Sequence, residues 1–408
     1  MKQFSKMTVD DLQSSFIRGK RVFMRVDFNV PMEEGEVGDD TRIRSTLPTI
    51  EKLRSSGARL VLASHLGRPK GAVDPQYSLR PVAKKLGQLL GTEIHFSSEI
   101  IGPSALEASK KLPDGGVMLL ENVRFDPGET SNDPAFAQEL SRLGDFFVND
   151  AFGTCHRAHA TTVGVPSLLK PAVAGLLVKK ELEYLRKLLA TPEHPFIAIL
   201  GGKKASDKIG VFKNLLGKID AVIVGGAMAS TFFRAKGLGV GTTFVQEELT
   251  PVASEIIDDY REKGIPILIP TDCVVSKSTQ VASDVKEVAN NSIPPQSCYV
   301  DIGSDTRKRY AKKISTARTI VWNGPMGIFE VDEFAGGTQE VARAVAQAAG
   351  SGAVVVVGGG DSVRAVIEAG YADRVSHLST GGGAFLEVLE GKDLPGVEAL
   401  SVREEGGK

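Results

Sequence analysis

Short apolar runs recur along the chain, and stretches whose apolar positions follow helical spacing lie between them. In the first half the runs are RVFMRVDF, RLVLAS, GVMLLE and DFFVND, and in the second half they are FIAIL, AVIVGG, IPILIP, RTIVW and AVVVVGGG. Buried strands that alternate with amphipathic helices are typical of parallel sheets built from right-handed crossover units. The pattern therefore predicts the α/β class, with a mainly parallel sheet in each half.

One amphipathic stretch divides these two sets of strands. The segment GLLVKKELEYLRKLLA has apolar residues at helical spacing and ends before a Thr-Pro pair. A chain of 408 residues can form two domains, each with its own core. We predict two Rossmann-like domains, with helices on both faces of each sheet, joined by a helix across a cleft. The expected bounds are 1–172 for the first domain, 173–191 for the connecting helix and 192–391 for the second domain, with the tail 392–408 packed on the first domain.

Composition limits the kinds of partner that the chain can have. Lys and Arg number 49 against 50 Asp and Glu, so the net charge of -1 gives no global basic field for nucleic acid or a membrane surface. Three scattered cysteines fit a reducing compartment better than a disulfide framework. No segment has the roughly 18 uninterrupted apolar residues of a membrane span, and the N-terminus has no apolar signal region. We expect a soluble, cytoplasmic protein whose anion sites are local.

The stretch NDAFGTCHRAH concentrates candidate ligands just after a predicted strand. Cys155, His156 and His159 could each bind a transition metal. Zinc sites usually bring a second cluster of ligands at a defined spacing, however, and Cys273 and Cys298 stand alone. The stretch by itself leaves open a metal site, an anion site, or loop histidines beside an idle thiol.

Polar residues collect where the first-half strands end, which is the edge at which open parallel sheets bind ligands. They are Asp27, Asn29, His65, Arg68, Arg124, His156, Arg157 and His159. Arginine offers a planar fork of donors to carboxylate and phosphate, so several arginines with few acids indicate a small polyanionic ligand. His156, Arg157 and His159 therefore fit an anion pocket better than a metal site. Asp27 could hold a ligand hydroxyl, orient a guanidinium, or form a buried salt bridge.

Glycines and lysines follow the second-half strands. In AILGGKKASDKIG, Lys204 and Lys208 are four residues apart near a predicted helix start, where like charges cost about 0.2–0.5 kcal/mol and oppose the helix dipole. A bound phosphate would remove both penalties. In AVVVVGGGDSVRAVIEAG, glycines precede a helix and Asp361 could hold a hydrated Mg²⁺, although a tight turn with a capping aspartate is the alternative.

Further glycine loops occur in AVIVGGAMASTF and HLSTGGGAFLEV, and VWNGPMGIFE adds Glu330, which could accept hydrogen bonds from ribose hydroxyls. The usual nucleotide motifs are absent: there is no GxxxxGK[ST], no GxGxxG after the first strand, and no HRD or DFG pair. Any nucleotide site must therefore be of another kind.

Eight stretches, taken in order, resemble phosphoglycerate kinases over essentially the whole chain. They are RVDFNVP, SHLGRP, LLENVRF, NDAFGTCHRAH, LGGKKASDKI, VWNGPMGIFE, GGGDS and STGGGA. The resemblance implies a monomeric, two-domain kinase of glycolysis. It would transfer the acyl phosphate of 1,3-bisphosphoglycerate to MgADP, reversibly, giving 3-phosphoglycerate and MgATP.

The matching motifs also imply roles for individual residues. Asp27 and Asn29 would contact the hydroxyl and carboxyl end of 3-phosphoglycerate, and Arg42, in DDTRIRS, would meet the transferring phosphoryl group together with Lys208. The phosphate of 3-phosphoglycerate would be held by His65, Arg68, Arg124 and Arg157. On the nucleotide side, the implied residues are Lys204 and Lys208 along the phosphates, Gly303 and Glu330 near adenosine, and Gly359, Gly360, Asp361 and Ser362 around the phosphates and Mg²⁺.

Two residues depart from the family pattern. Lys203 stands where alanine is usual, which could alter nucleotide or metal contacts, and Phe385 replaces a small serine, which puts the packing of the following helix in doubt. The alternative hypotheses are a carboxylate kinase of another family, a dehydrogenase, or a sugar-phosphate binding protein that kept the fold. The ordered motifs disfavour the first two, and the presence of Arg42, Lys208 and Asp361 disfavours the third.

Overall fold

The structure, a computed structural model, describes residues 4–403. Their contacts divide into two compact units: unit 1 holds residues 4–183 and 393–403, and unit 2 holds residues 184–392. The boundary between 183 and 184 falls inside a helix, Leu176–Leu189, that lies within the predicted connecting segment. Part of the predicted tail, residues 404–408, lies outside the described residues.

Unit 1 is built on a six-stranded parallel sheet, with a small two-stranded hairpin beside it. The strands are Arg21–Val26 (β1), Met32–Glu33 (β2), Glu36–Val37 (β3), Arg59–Ala63 (β4), His95–Ser97 (β5), Val117–Leu120 (β6), Phe146–Asp150 (β7) and Ala172–Ala174 (β8). The order in the large sheet is β5-β6-β4-β1-β7-β8, and β2 pairs with β3. The central strands β1, β4, β6 and β7 are almost wholly buried, as expected when helices cover both faces.

Eight α-helices begin within residues 4–183, and the last of them crosses into unit 2. They are Ser14–Ile17 (α1), Thr41–Ser55 (α2), Arg80–Leu90 (α3), Pro103–Lys111 (α4), Pro127–Ser131 (α5), Pro134–Ser141 (α6), Val165–Leu168 (α7) and Leu176–Leu189 (α8). In α2, for example, Ile43, Ile50 and Leu53 are completely buried in the core that also contains β1 and β4. A five-residue π-helical turn, Ala160–Gly164, leads into α7.

Unit 2 contains a second six-stranded parallel sheet and a separate three-stranded antiparallel sheet. The strands are Phe196–Leu200 (β9), Ala221–Val224 (β10), Ile267–Leu268 (β11), Asp272–Ser276 (β12), Lys286–Ala289 (β13), Cys298–Ile302 (β14), Thr319–Asn323 (β15), Val354–Gly358 (β16) and His377–Leu378 (β17). The helices are Ile209–Leu215 (α9), Ala229–Ala235 (α10), Thr250–Glu262 (α11), Ser304–Ile314 (α12), Gly336–Gly350 (α13), Gly360–Glu368 (α14) and Gly382–Leu389 (α15).

The large sheet of unit 2 has the order β11-β10-β9-β15-β16-β17, and the small one has the order β13-β12-β14. The predicted α/β class, with a mainly parallel sheet in each half, is confirmed. The antiparallel sheet is an addition that the apolar runs do not predict, because its edge strand β13 is mostly exposed.

The end of the described chain packs on unit 1. A short helix, Pro395–Glu398 (α16), precedes a segment in which the Met7 amide donates to the Ser401 carbonyl and the Ser401 amide donates to the Ala172 carbonyl. Unit 1 therefore contains residues from both ends of the chain. No helix within residues 4–403 combines the length and apolar character needed to cross a membrane.

Candidate active site

A completely buried arginine occupies the carboxyl end of β1. The Arg25 Nε donates to Thr161 Oγ1 at 2.8 Å, and one terminal nitrogen lies 3.1 Å from His65 Nδ1. Another terminal nitrogen donates to the Val26 carbonyl. Burial lowers the pKa of Arg25, and the negative charges of Glu129 and Asp27 oppose this effect. The sequence predictions missed Arg25, although a charged residue inside the run RVFMRVDF was an available signal.

The counter-charge to Arg25 is a buried carboxylate on α5. Glu129 accepts hydrogen bonds from the Thr161 amide at 2.9 Å and from Thr161 Oγ1 at 2.6 Å. Burial raises its pKa, while Arg25 and the two bonds from Thr161 act in the opposite direction. Thr161 lies on the π-helical turn, a feature that often occurs at functional sites. Neither Glu129 nor Thr161 was among the predicted site residues, because neither follows a strand.

The two histidines of this cluster are held in their neutral form. Burial and the neighbouring arginines Arg25, Arg124 and Arg157 lower the pKa of His65 well below its ordinary value. Burial and the same arginines lower the pKa of His159 to about 4. At neutral pH His65 and His159 therefore add no positive charge to that of the arginines.

Arg124 is the residue whose hydrogen-bonding capacity is least used. It is 7% exposed, and one terminal nitrogen donates to the Gly67 carbonyl at 2.8 Å. Its Nε and its other terminal nitrogen are buried without a hydrogen-bonding partner anywhere in residues 4–403. Burial, followed by repulsion from Arg25 and Arg157, lowers its pKa to about 10, so it remains charged at neutral pH. Buried donors of this kind are costly unless a ligand or water satisfies them.

Asp27 and Arg42 form an ion pair at the same sheet edge. The Arg42 guanidinium donates to Asp27 Oδ2 at 2.7 Å, and the carboxylate is largely buried while the arginine side chain is 38% exposed. Of the roles considered for Asp27, orienting a guanidinium and forming a partly buried salt bridge both apply here. Nearby, Asn29 Oδ1 accepts from the Gly67 amide at 2.9 Å.

Two further predicted residues are more exposed. Arg157 is half-buried, and its Nε donates to His156 Nε2 at 3.2 Å. Arg68 is exposed, and within the described residues its side chain has no ion pair or hydrogen bond. The structure thus brings Asp27, Asn29, His65 and Arg124 together through shared contacts. Arg157 lies near enough for its charge to lower the pKa of His65 and Arg124, whereas Arg68 has no side-chain partner within residues 4–403.

The thiol of the CHRAH segment has partners of its own. Cys155 is completely buried, and its Sγ lies 3.5 Å from both Asn149 Nδ2 and the Ala151 carbonyl oxygen. Burial raises the pKa of this thiol to about 12, which disfavours the thiolate that a metal requires. Among residues 4–403, no three His, Cys, Asp or Glu side chains are grouped so that they could hold a metal ion.

In unit 2, the carboxyl ends of three neighbouring strands open onto a cavity of about 300 Å³. Strand β15 pairs in register with β9 on one side and β16 on the other, so the loops after all three emerge at one edge. Six of the predicted nucleotide residues line the cavity: Lys204, Lys208, Gly359, Gly360, Asp361 and Ser362. The loops touch so closely that a Cβ on Gly201 would lie 2.2 Å from the Pro325 carbonyl oxygen. Glycine is therefore required there by packing.

The two lysines occupy different environments. Lys204 is exposed, whereas Lys208 is 9% exposed and has a pKa lowered by burial, against which Asp207, Glu390 and Asp361 act. The prediction that both belong to one helix start was wrong, because a 3-10 turn, Ala205–Asp207, separates Lys204 from α9. The repulsion expected between two lysines four residues apart on one α-helix therefore does not apply to Lys204 and Lys208.

The loop after β16 leads directly into α14. Asp361 lies in the first turn of this helix with its side chain exposed, and it makes no capping hydrogen bond. The alternative interpretation of Asp361 as a helix cap is therefore not supported. Ser362 is buried, and its Oγ accepts from the Gly324 amide at 2.5 Å, which ties the β15 and β16 loops together. The Asp361 carboxylate is left facing the cavity that it lines.

The two residues predicted near adenosine do not line this cavity. Gly303 precedes α12 beside Asp272, a carboxylate that accepts from the Asp305 and Thr306 amides at 2.9 and 2.8 Å. Glu330 forms a 2.7 Å ion pair with Arg364. The structure thus brings six of the eight predicted nucleotide residues together.

The structure shows what surrounds Lys203 and Phe385, the two residues that depart from the family pattern. Lys203 lines the cavity, and its Nζ lies 5.8 Å from the centre of the Phe244 ring. Phe385 is completely buried in α15, with its ring packed against the backbone of Gly358, where a Cβ would lie only 2.2 Å away. The helix forms with Phe385 in the core, so the doubt about its packing is resolved.

Comparison with known proteins agrees with these motifs. The family model described as phosphoglycerate kinase matches residues 9–392. The cytosolic phosphoglycerate kinase of Nicotiana tabacum is 48% identical over 396 residues, covering 97% of this chain and 98% of that protein. The phosphoglycerate kinase of Chloroflexus aurantiacus is 52% identical over 399 residues, covering 97% and 99%.

A solved structure of phosphoglycerate kinase from Coxiella burnetii superimposes with a TM-score of 0.87 at 38% identity, covering 97% of this chain and 98% of that one. The structure from Pyrococcus horikoshii gives a TM-score of 0.83 at 34% identity, covering 97% and 98%. Family model, sequences and structures agree over almost the full length, and the chain belongs to the phosphoglycerate kinase family.

Proposed function

We propose that this chain catalyses the phosphoglycerate kinase reaction, in which the acyl phosphate of 1,3-bisphosphoglycerate passes reversibly to MgADP. Family membership over residues 9–392 supports the reaction, and the two sites described above support a division of the ligands. Unit 1 binds 3-phosphoglycerate or 1,3-bisphosphoglycerate, and unit 2 binds ADP or ATP. The products in the forward direction are 3-phosphoglycerate and MgATP.

The observation that carries the proposal for unit 1 is the pair of unsatisfied nitrogens on buried Arg124. A phosphate would accept from both in the bidentate arrangement that guanidinium favours. His65, Arg157 and the more exposed Arg68 complete the phosphate contacts. Because His65 is neutral, it contributes a hydrogen bond rather than a second charge. Asp27 and Asn29 take the hydroxyl and carboxyl end of the substrate.

In unit 2, the cavity residues fit a nucleotide polyphosphate. Lys204 and Lys208 lie along the phosphates, and the loop from Gly359 to Ser362 supplies backbone amides at the start of α14. Asp207 and Asp361 are the exposed carboxylates that line this cavity, and this number suits Mg²⁺ because that ion usually takes one or two carboxylates and completes its shell with phosphate oxygens and water. Asp361 is the one that the family motif assigns to the metal. Mg²⁺ arrives with the nucleotide and neutralises part of its charge. Gly303 and Glu330 are assigned to adenosine.

Phosphoryl transfer of this kind needs alignment and charge stabilisation rather than a protein nucleophile. In the reverse direction, the carboxylate of 3-phosphoglycerate is itself the nucleophile. Arg42, held by Asp27, and Lys208 stabilise the charge on the equatorial oxygens of the group in transfer. Since Arg42 belongs to unit 1 and Lys208 to unit 2, the reaction requires hinge closure, which also excludes water that would hydrolyse the acyl phosphate.

The decisive experiment is a coupled assay of ATP formation from 1,3-bisphosphoglycerate and ADP, with Mg²⁺ withheld and then restored. Acetyl phosphate replaces 1,3-bisphosphoglycerate in a parallel assay, and an Arg42→Ala preparation made identically reports any contaminating kinase. Turnover with 1,3-bisphosphoglycerate alone is the expected result. Turnover with acetyl phosphate would indicate another carboxylate kinase, and binding of both ligands without turnover would indicate a binding protein.

We further propose that the protein acts in glycolysis as a cytoplasmic monomer. The names of the Nicotiana tabacum and Triticum aestivum relatives describe those proteins as cytosolic. Light scattering coupled to size-exclusion chromatography should give a mass near the 43.4 kDa of one chain. A mass near twice that value would contradict the monomer.

A further inference from the structure

An arginine on α14 holds the carboxylate that is assigned to adenosine. Arg364 follows Gly360 by four residues, which puts it one helical turn away on the same face of α14. One terminal nitrogen donates to Glu330 Oε1 at 2.7 Å. The Arg364 guanidinium carbon also lies 4.6 Å from the centre of the Phe329 ring. Stacking fixes the plane of the guanidinium, and the ion pair fixes the carboxylate relative to that plane.

The Phe329 ring that the guanidinium contacts is itself packed in place. Phe329 is 8% exposed and packs in a small apolar cluster with Ala335 and with Ala365 of α14. Phe329, which precedes Glu330, and Ala365, which follows Arg364, therefore pack together. Helix α14 also carries Asp361, the residue assigned to Mg²⁺ and phosphate, in its first turn. The ion pair thus connects Glu330, at the adenosine end of the proposed site, to the helix that carries Asp361 at the phosphate end.

The remaining acceptor of Glu330 is free for a ligand. An ionised carboxylate only accepts hydrogen bonds, and Oε1 is already committed to Arg364. Oε2 has no hydrogen-bonding partner among the residues from 4 to 403. A ribose presents two neighbouring hydroxyl donors, which is the chemistry that such an acceptor recognises. Glu368 lies 3.8 Å from Arg364 Nε and is the other acidic group beside the guanidinium.

From this geometry we infer that Arg364 is a positioning residue for nucleotide recognition: it holds Glu330 so that the free oxygen accepts from a ribose hydroxyl. The inference rests on the proposed role of Glu330. Arg364 and Glu330 are 48% and 52% exposed, so their ion pair contributes little to folding, and its loss should appear in nucleotide selectivity. The class of ligand that it selects is a ribonucleotide over a deoxyribonucleotide.

The test compares ADP with 2′-deoxy-ADP and 3′-deoxy-ADP in the parent and in Arg364→Ala, Arg364→Lys and Glu330→Ala. A hydrogen bond to a charged group is worth about tenfold or more in affinity, so the parent should bind ADP about tenfold tighter than the poorer analogue. Arg364→Ala should reduce this ratio to about threefold and raise KM for ADP more than it lowers kcat. Arg364→Lys should recover part of the ratio, because lysine keeps the charge but not the planar stack.

Arg343→Ala is the matched control, since Arg343 pairs with Glu340 on α13 in a similar half-exposed ion pair and lines no proposed site. Its ratio should equal that of the parent, and thermal unfolding of every variant checks the fold. If Glu330→Ala abolishes the discrimination while Arg364→Ala preserves it, Glu330 keeps its role and the inference about Arg364 is wrong. If Glu330→Ala also preserves it, the assignment of Glu330 to ribose fails, and the inference fails with it.

Discussion

The proposed anion site of unit 1 and the cavity of unit 2 are formed in different ways. In unit 1, buried side chains make the site, and Arg25, Glu129 and Thr161 form a network beneath it that a ligand would not need to touch. In unit 2, glycine loops bring backbone amides to the cavity, and exposed Lys204 and Asp361 supply charge at its wall. A compact substrate of fixed shape suits the first design, while a flexible polyphosphate suits the second. Substitutions should therefore affect folding mainly in unit 1 and binding mainly in unit 2.

The largest effect is expected at the phosphoryl group in transfer, which residues from both units are proposed to stabilise. Arg42→Ala should lower kcat by about 10³-fold or more while weakening either substrate much less, because the contact is completed only in the transition state. Steady-state kinetics at saturating concentrations of both substrates measures this, with single-turnover experiments to show that chemistry limits the rate. The assignment is wrong if kcat stays within a few-fold of the parent.

The Arg42→Ala, Lys208→Ala double variant sharpens this prediction. Two groups that act in one closed state should give a combined loss of transition-state stabilisation smaller than the sum of the single losses. Strict additivity in ln kcat would show that the two residues act independently.

The next effect concerns the buried network of unit 1. Arg25→Met should lower the free energy of unfolding by about 3–5 kcal/mol, because it leaves the Glu129 carboxylate buried without its counter-charge. Urea unfolding at pH 7 measures it. The double variant Arg25→Met, Glu129→Gln should lose less than the sum of the two single losses, since no uncompensated charge remains. Equal loss in Arg25→Met and in the exposed control Arg44→Met would contradict the difference between buried and surface charges.

Each unit also contains a buried carboxyl group whose pKa is raised to about 7 by burial, and the two provide a direct comparison. Asp150 accepts from the Leu177 amide at 2.9 Å and has no ion pair within residues 4–403. Asp301 is paired with Arg307 at 3.0 Å. Because the folded-state pKa lies above the ordinary value of about 4, stability from these groups is full below pH 4 and is lost as pH rises towards 7.

Asp150→Asn should therefore match the parent near pH 4 and exceed its free energy of unfolding by about 1–3 kcal/mol at pH 8. Asp301→Asn should be destabilising even at pH 8, because it leaves Arg307 without its partner. Unfolding in urea across pH 4–8 tests both. Identical pH dependence in Asp150→Asn and the parent would show that Asp150 is ionised in the folded protein.

The smallest effect tests the division of ligands. Arg68→Ala should weaken 3-phosphoglycerate binding by about three- to tenfold and leave MgADP binding unchanged, because Arg68 is exposed and outside the buried network. Lys204→Ala is the matched variant in unit 2 and should do the reverse. Calorimetry with each ligand separately provides the measurement. Comparable losses for both ligands in either variant would contradict two separate sites.

Much of the fold follows from continuous apolar runs. The central strands β1, β4, β6 and β7, and β9, β10, β15 and β16 in the other sheet, are buried on both faces, so their sequences are mainly apolar. Arg25 in β1 and Asn149 and Asp150 in β7 are among the exceptions. The edge strands β5, β8 and β17 have only two or three residues, too few for a pattern. Strand β13 is a mostly exposed edge strand that pairs only with β12, in antiparallel orientation, so it gave no apolar signal.

The positions of candidate site residues were predictable where a residue follows soon after a strand, as with Asp27, Arg124 and Asp361. They were not predictable where a residue acts through a partner distant in sequence. Glu129 looks like an ordinary acid in an early helical turn, and only the folded chain brings it to Thr161 and Arg25. The mistaken helix for Lys204 and Lys208 had a local cause, since a short 3-10 turn has no distinct hydrophobic period.

The return of the chain end to unit 1 has a consequence for synthesis. The Gly396 amide donates to the Cys155 carbonyl at 2.8 Å, and Asn149 Nδ2 donates to the Gly396 carbonyl at 3.2 Å, beside the strand that leads into the anion site. A ribosome delivers residue 396 only after all of unit 2 has been made. Unit 1 therefore cannot form these hydrogen bonds until the whole of unit 2 has been translated, so the half of the protein that is made first is the half that is completed last.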